Sequence, residues 1–306
     1  MDDDQGLTTV AAAARPAPGP RRRAAAVLHR RPRLRLTLLL SAPLAWLVPG
    51  YLGALAAIFL TAFWTTDTFT GEVVHQYTLA NFQTLWDEPV YRTIALRSVG
   101  VAAAVTLIDM AIGLPMAFAM AKVVRPRWRP YLVVAVLAPL WAPYLVKAYA
   151  WRVMLAHGGL ADEALGPFGL SGPGYGLTAT VLVLAYLWLP YMILPVYTGL
   201  ERLPDSLLDA SGDLGARPLR TLRAVVLPMV FPSLVAGSVF TFSLSLGDYI
   251  TVKIVGGRTQ LLGNVVYDNV GAANNLPFAA AVATIPVVVM LAYLAAARRT
   301  GALREL

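Results

Sequence analysis

The chain has no cysteine, only three histidines and few charged residues. Without cysteine it has no disulfide framework, no thiol nucleophile and no thiolate ligand for a metal. His29, His75 and His157 lie far apart in sequence and form no cluster at zinc-site spacing. The chain also lacks the glycine-rich loop, followed by Lys and Ser/Thr, that cradles a nucleotide phosphate. We therefore predict no catalytic residue, no metal site and no bound cofactor in this chain.

The scarcity of charge indicates a membrane protein. Charged residues make up 14% of the 306 residues and hydrophobic residues 58%, whereas a soluble domain carries about 25% charge. A membrane-crossing helix needs about 20 mostly apolar residues. Six segments qualify: residues 36–63, 98–121, 131–154, 177–199, 229–250 and 277–297. The sequence thus predicts an all-α polytopic membrane protein with six transmembrane helices, in one permease-sized domain over residues 36–299.

The positive charges give this domain a direction. Eight arginines precede the first span, and most other Lys and Arg lie in the second loop, the fourth loop and the end of the chain. With six spans, all four regions fall on one side, which the positive-inside rule places in the cytoplasm together with both termini. The net charge of +8 therefore follows membrane sidedness, and we predict no nucleic-acid partner.

The two ends of the chain are predicted to be cytoplasmic tails. Residues 1–35 are rich in Ala, Pro and Arg, a composition typical of disorder, and their arginines favour a position near anionic membrane lipid. The first span is too long for a typical secretory signal and has no clear cleavage site, so we predict an uncleaved anchor. Residues 300–306 form the second tail.

A polar loop over residues 200–228 lies on the predicted cytoplasmic side. Its pattern predicts two short helices, the first beginning after Pro204 and the second at Pro218, with Gly215 reversing the chain between them. One interpretation is an amphipathic helix in the headgroup layer with its arginines snorkelling. The other is a docking element for a cytoplasmic protein.

A resemblance favours docking. Asp209-Ala210-Ser211, then Gly215, then Val225-Val226-Leu227-Pro228 resemble the "EAA" loop of binding-protein-dependent ABC importer permeases. Similar stretches extend from about Leu36 to the C-terminus and look closest to the spermidine/putrescine-type permeases. They include Tyr77-Thr78-Leu79-Ala80-Asn81-Phe82, Met192-Ile193-Leu194-Pro195 and Gly247-Asp248-Tyr249. One departure is Val252, where relatives commonly have Pro.

The resemblance implies a type I ABC importer permease fold in a bacterial cytoplasmic (inner) membrane. It implies four kinds of partner: a homologous second permease, a dimer of cytoplasmic ABC ATPases that binds ATP and Mg²⁺, an extracytoplasmic substrate-binding lipoprotein, and membrane lipid. The chain itself would transport and would not be an enzyme. The residues implied in ATPase coupling are Leu207, Leu208, Asp209, Ala210, Ser211, Gly215, Arg217, Leu227 and Pro228.

The cargo implied is a polyamine, and five residues are candidates for its path. They are Asp109, Tyr144, Trp151, Asp248 and Tyr249. A carboxylate inside a span usually faces a cavity or a partner, and an acid beside an aromatic ring suits an ammonium group. Each candidate also has a structural role that involves no cargo: a helix-packing hydrogen bond for Asp109, an ion pair with Lys253 for Asp248, and membership of the interfacial aromatic belt for the aromatic residues.

Other functions stay open at this point. Lys147 and Arg152 argue against a purely cationic path, so the same machinery could carry a sugar, an amino-acid derivative, an anion or a metal. A stand-alone secondary transporter is a more distant alternative, since such carriers usually have more spans and inverted repeats, and no repeat is visible between the two halves.

Overall fold

A computed structural model describes residues 32–67 and 70–299, and the structural statements below apply to those residues. Most of the predicted N-terminal tail and all of residues 300–306 lie outside them. The chain divides into two units, residues 1–57 and 58–306.

The first unit holds most of the first predicted span. Helix α1 (Pro32–Leu47) passes through a π-helical segment (Val48–Leu52) into α2 (Gly53–Thr61), whose end belongs to the second unit. The described part of the chain starts at Pro32, four residues before the predicted span, and is helical from there. Large apolar side chains here are exposed, with Trp46 at 81%, as expected of a segment that meets lipid.

The second unit is a helical bundle with one small hairpin. In chain order its elements are β1 (Thr65–Thr66), β2 (Val73–Val74), α3 (Ala80–Asp87), α4 (Pro89–Phe118), α5 (Arg129–Trp141), α6 (Tyr144–Leu155), α7 (Leu160–Leu165), α8 (Leu177–Glu201), α9 (Asp205–Asp213), α10 (Pro218–Thr221), α11 (Leu227–Leu246), α12 (Ile250–Val255), α13 (Leu262–Val270) and α14 (Leu276–Arg299). The two strands pair antiparallel, Thr65 with Val74 and Thr66 with Val73.

Five helical segments in the described part are long and apolar enough to span a membrane, and the number is six if one bent pair counts as a span. The segments are Leu39–Thr61, Pro89–Val123, Leu177–Glu201, Pro218–Leu246 and Leu276–Arg299. The bent pair is Pro126–Trp141 with Tyr144–Leu155, which meet at 88°. The prediction of one continuous helix over 131–154 is therefore wrong. Pro143 explains the break, because it disfavours helical backbone at the residue before it.

Two further boundaries differ from the prediction. The second span begins at Pro89, since Glu88 is extended and a proline suits the first helical position. The fifth span begins at Pro218, because α10 continues through a π-helical segment (Leu222–Val226) into α11. The predicted second short helix is therefore the first part of a membrane span.

Prolines accompany the π-helical segments. A π-helical segment follows α4 at Ala119–Val123, close to Pro115, and the segment Leu222–Val226 lies just before Pro228. Proline has no N–H and its ring clashes with the carbonyl four residues earlier. At Pro228 the carbonyl four residues earlier belongs to Ala224, inside the segment Leu222–Val226, where a widened turn relieves the clash. Such turns are common at functional sites.

The core of the second unit lies where α4, α8 and α11 cross. Met192 of α8 is fully buried and fits between two glycines, Gly113 of α4 and Gly237 of α11. A Cβ at Gly113 would lie 2.9 Å from Met192 Cγ, and one at Gly237 would lie 2.8 Å from Met192 Sδ. Glycines thus allow the close backbone approach that packs helices in lipid.

Candidate functional site

The loop singled out in the sequence forms a short helix and a tight turn. Pro204 precedes α9, Asp205 lies in its first turn, and Gly215 has φ +73°, as the sequence predicts. The amide of Gly215 donates to Gly212 O (2.8 Å) and the amide of Ala216 to Ser211 O (3.1 Å). These bonds close the C-terminal end of α9 and point the chain back towards α10.

The inner face of α9 packs on the bundle. Leu208 lies against the core cluster that contains Met192 and Val226. Ser211 is buried and its hydroxyl is 2.8 Å from Thr221 Oγ1 on α10. These contacts fix the helix on the ends of two spans.

The outer face of α9 has no partner among the described residues. Leu207, Ala210 and Leu214 follow one another at helical spacing and are exposed, with Leu214 88% exposed. The leucines of α9 are therefore divided between two faces, with Leu208 on the inner face and Leu207 on the outer face. Asp209 and Asp213, one turn apart, are also exposed and lie together along one side of the apolar stripe.

The remaining predicted coupling residues surround the turn. Arg217 is exposed just before α10, and Leu227 and Pro228 begin α11. Beside them lies an apolar groove of about 610 Å³ between the end of α4 and the α9–α10 turn. Its lining residues are Leu114, Pro115, Phe118, Leu208, Gly212, Ala216, Pro218, Leu219, Thr221, Leu222 and Val226.

Sequence reasoning missed Lys122. Its Nζ donates to the carbonyl of Leu203 (2.6 Å) and to Asp205 Oδ1 (2.7 Å). Its hydrogen bond and positive charge hold the pKa of Asp205 below its ordinary value. More than 80 positions separate the partners, and neither has a distinctive local pattern, so no sequence signal predicts the contact.

Asp109 lies on α4 and is fully buried. Neither of its carboxylate oxygens has a hydrogen-bond partner among the described residues. The helix-packing hydrogen bond considered from the sequence is therefore absent there. Trp188 Nε1 and Ser245 Oγ are likewise buried and unpaired within the described chain, so the bundle contains polar groups that another arrangement or water would satisfy.

Tyr144 and Asp248 meet, although 104 positions separate them. The Tyr144 hydroxyl donates to Asp248, which also accepts bonds from the amide (2.8 Å) and the hydroxyl (3.3 Å) of Thr251. This cluster joins α6 to the junction of α11 and α12. The alternative that Asp248 pairs with Lys253 is wrong, because Lys253 pairs with Asp268 instead.

The other two aromatic candidates lie apart from this cluster. Trp151 on α6 is half-buried against Tyr186, with ring centroids 5.4 Å apart. Tyr249 stacks on Tyr267 at 4.7 Å, and the Lys253 ammonium lies 4.6 Å from the centre of the Tyr267 ring. Lys253 thus sits between an aromatic face and the carboxylate of Asp268.

The comparison with known proteins supplies the family. Residues 24–300 match the family described as the binding-protein-dependent transport system inner membrane component. The chain belongs to this family. The permease is 41% identical over 289 residues to the inner membrane ABC transporter permease protein YdcU of Escherichia coli K12, covering 89% of this chain and 91% of the relative. It is 32% identical over 222 residues to the spermidine/putrescine transport system permease protein PotB of Haemophilus influenzae, covering 71% and 77%.

Solved structures show the fold. The permease is similar, at a TM-score of 0.62 and 14% identity, to a chain of a bacterial ABC transporter involved in the import of alginate, covering 90% of this chain and 99% of that one. A chain of the MetNI methionine ABC transporter, in inward facing form, matches at a TM-score of 0.53 and 21% identity, covering 68% and 93%. The predicted family and fold class are therefore confirmed. This permease is a transport component of an ABC importer.

No group of three or more His, Asp or Glu side chains in residues 32–67 and 70–299 is placed to hold a metal ion. The structure thus offers two candidate sites. One is the exposed face of α9, which carries both apolar and acidic side chains, and the other is the set of buried polar groups that includes Asp109 and Asp248.

Proposed function

We propose that α9 is the element through which a separate ATPase drives this permease. The observation that carries the proposal is the contrast between its two faces. The inner face is fixed to two spans by Leu208 and by the Ser211–Thr221 bond, while the outer face presents an apolar stripe with two carboxylates along one side of it. A partner that fits this face has an apolar groove bordered by basic groups, since charge complementarity directs association.

Movement of such a partner would reach the bundle through the fixed inner face. A cytoplasmic ATPase dimer that closes on ATP would carry α9 with it and shift the bundle between two arrangements that open on opposite sides. Hydrolysis would release the first arrangement. ATP then acts because it favours one of two pre-existing states. ATP and Mg²⁺ bind the partner in this scheme.

The arginine distribution supports a cytoplasmic position for α9 and for both termini. We propose an assembly of this chain with a homologous second permease, two ATPase copies and an extracytoplasmic substrate-binding protein, in the inner membrane of a bacterium. The family description, a component of binding-protein-dependent systems, supports the presence of the receptor.

We propose a polyamine as the cargo. Similarity to PotB over 71% of the chain supports it. Near Tyr249 the chain holds a primary ammonium of its own, that of Lys253, between the carboxylate of Asp268 and the face of the Tyr267 ring. Tyr249 stacks against that ring, so it stays a candidate for the cargo path.

The other path candidates need a second arrangement of the bundle. Asp109 is fully buried and Asp248 is 8% exposed, so neither meets cargo in the present arrangement. We propose that Asp109 gains its partner when the crossing of α4, α8 and α11 opens. Tyr144 and Trp151 on α6 would line the same passage.

Mutation of the outer face tests the docking role. Ala210→Asp adds a charge where a close approach is needed, and we expect membrane insertion to persist while ATPase co-purification and uptake are lost. Ala210→Ser keeps a small side chain and is the matched control, with near-normal uptake. Normal uptake by Ala210→Asp, in membranes that contain the full complex, would refute the docking role.

Cargo is tested by uptake into vesicles that hold the complete transporter. Labelled spermidine or putrescine should accumulate only with ATP and the receptor. Competition by an excess of sugar, amino acid or phosphate should leave this uptake unchanged. Accumulation of another solute, with no uptake of either polyamine, would replace the polyamine assignment and leave the importer assignment in place.

A further inference from the structure

Helix α9 is tied to different spans at its two ends. At the C-terminal end, Ser211 bonds Thr221, which lies in the first turn of the fifth span, directly before its π-helical segment. At the N-terminal end, the Lys122 ammonium bonds Asp205 and the carbonyl of Leu203. Lys122 itself lies on the π-helical segment that ends the second span. Each tie therefore joins α9 to a distorted turn of a different span.

The two bonds of Lys122 have different surroundings. The Lys122 side chain is 8% exposed, whereas that of Asp205 is 75% exposed. Water and salt weaken an ion pair with such an exposed carboxylate. The other acceptor, the carbonyl of Leu203, belongs to a buried residue, so water competes less for this bond and we infer that it contributes more than the ion pair to holding the chain between α8 and α9.

The connection between α8 and α9 that Lys122 contacts, which we call the corner, is stiff. Leu203 follows the end of α8, and the next residue is Pro204, whose ring fixes its φ. Between α8 and α9 the chain thus has little freedom to absorb movement. A displacement of α9 moves the carbonyl of Leu203, and Lys122 follows it because its ammonium would otherwise be left buried without an acceptor.

We propose that Lys122 is a positioning residue that carries displacement of α9 into the second span. This inference rests on the proposed docking role of α9. Lys122 is not part of the docking surface, because it meets the corner before α9 while the docking face consists of Leu207, Ala210 and Leu214. Two spans, the second through Lys122 and the fifth through Thr221, then respond together when α9 is moved.

Substitution in the assembled transporter separates this role from docking. In Lys122→Met the link is lost, and we expect ATPase co-purification at the normal level with transport per ATP hydrolysed lowered roughly tenfold, the size expected for one charge-assisted hydrogen bond. Lys122→Arg keeps two donors and should recover most of the transport. The matched control is Arg125→Met, three residues further along the chain, because Arg125 is exposed and its guanidinium makes no hydrogen bond or ion pair with any described residue.

Substitution of Asp205 provides a second test of the Lys122 contact. Because Asp205 is exposed, its substitution should disturb the fold little. Asp205→Asn should lower transport per ATP less than Lys122→Met does, because the carbonyl bond persists. The double variant should be no worse than Lys122→Met alone, since Asp205 acts through Lys122. If Lys122→Met does not accumulate in the membrane, Asp205→Lys tests the same link by repulsion and should lower transport per ATP with ATPase still bound.

The outcomes distinguish the two proposals. Normal transport per ATP in Lys122→Met, or additive losses in the double variant, would overturn the role of Lys122. Loss of ATPase co-purification in Lys122→Met would also overturn it, because Lys122 would then shape the docking surface. Normal uptake in Ala210→Asp would instead remove the docking role of α9 itself.

Discussion

A glycine-to-alanine series tests the helix crossing at Met192. A Cβ at position 237 would lie 2.8 Å from Met192 Sδ and 3.2 Å from both Met192 Cα and O. The sulfur can move, but the backbone of α8 yields only if the helices separate. Overpacking of this kind costs about 1–3 kcal/mol, and alanine returns about 1 kcal/mol of helix propensity. We therefore expect Gly237→Ala to destabilise the protein by up to roughly 2 kcal/mol.

Two variants on α4 calibrate the series. At Gly113 a Cβ meets side-chain atoms and no backbone: Met192 Cγ lies at 2.9 Å, while Met192 Cβ and Ile193 Cγ1 lie at an ordinary 3.5 Å, and a methionine adapts its shape. Gly113→Ala should therefore cost less than Gly237→Ala. At Gly100, on the same helix, a Cβ meets nothing within 4 Å, and alanine should be neutral or stabilising by up to about 1 kcal/mol. Apparent thermal midpoints in detergent should rank Gly100→Ala above Gly113→Ala and Gly113→Ala above Gly237→Ala. A loss in Gly100→Ala equal to that in Gly237→Ala would refute the reasoning.

Three further predictions follow from single contacts. Tyr144→Phe removes a donor to the buried carboxylate of Asp248 and should lower the thermal midpoint by the equivalent of about 1.5–3 kcal/mol. The control Tyr149→Phe, at an exposed position of the same helix, should leave the midpoint unchanged. Equal midpoints for the two variants would contradict the bond between Tyr144 and Asp248. Asp162 accepts bonds from two backbone amides, which lower its pKa, so its support for the loop is present above the unfolded pKa of 3.8 and is lost as pH falls through the lower folded value. Limited proteolysis at neutral pH should therefore cut residues 156–175 faster in Asp162→Ala than in Glu163→Ala, and the unsubstituted loop should resist cleavage by an acid-active protease down to about pH 4; an unchanged pattern in Asp162→Ala would show that the amide bonds do not order the loop. Gly215→Val should reduce ATPase co-purification, because φ +73° strains a branched residue, while Gly215→Asn should keep most of it, since Asn tolerates this conformation; equal retention by both would remove the turn from the docking geometry.

Much of this fold was predictable because its signals are local. Runs of apolar residues mark the spans, and prolines mark where α9 and α10 begin. Gly215 was predictable as a turn residue because a positive φ favours glycine over every other residue. The 88° bend was missed, because the apolar run from α5 to α6 has no polar interruption at Ala142 and Pro143.

The polar contacts were harder to predict because they join distant positions. Asp248 has a lysine five residues away, yet it bonds a tyrosine from another helix. Lys122 meets α9 although α5, α6, α7 and α8 all lie between them in the chain. Such pairings depend on how helices pack, and hydrophobic periodicity fixes which side of a helix is buried without fixing which neighbour it meets.

Because the third predicted span is bent, its two helices, α5 and α6, pack on different parts of α8. Leu132, Val133 and Val136 of α5 pack on the core around Val196 and Tyr197 of α8, while Ala148 and Leu155 of α6 pack beside Val183 and Leu187, more than two helical turns away. A straight helix crosses a neighbouring helix at one place, whereas the bent pair of α5 and α6 contacts α8 at two places along its length. These two contacts, made by one continuous stretch of chain, oppose a tilt of α8. We therefore expect any tilt of α8 during transport to change the angle between α5 and α6 at Pro143.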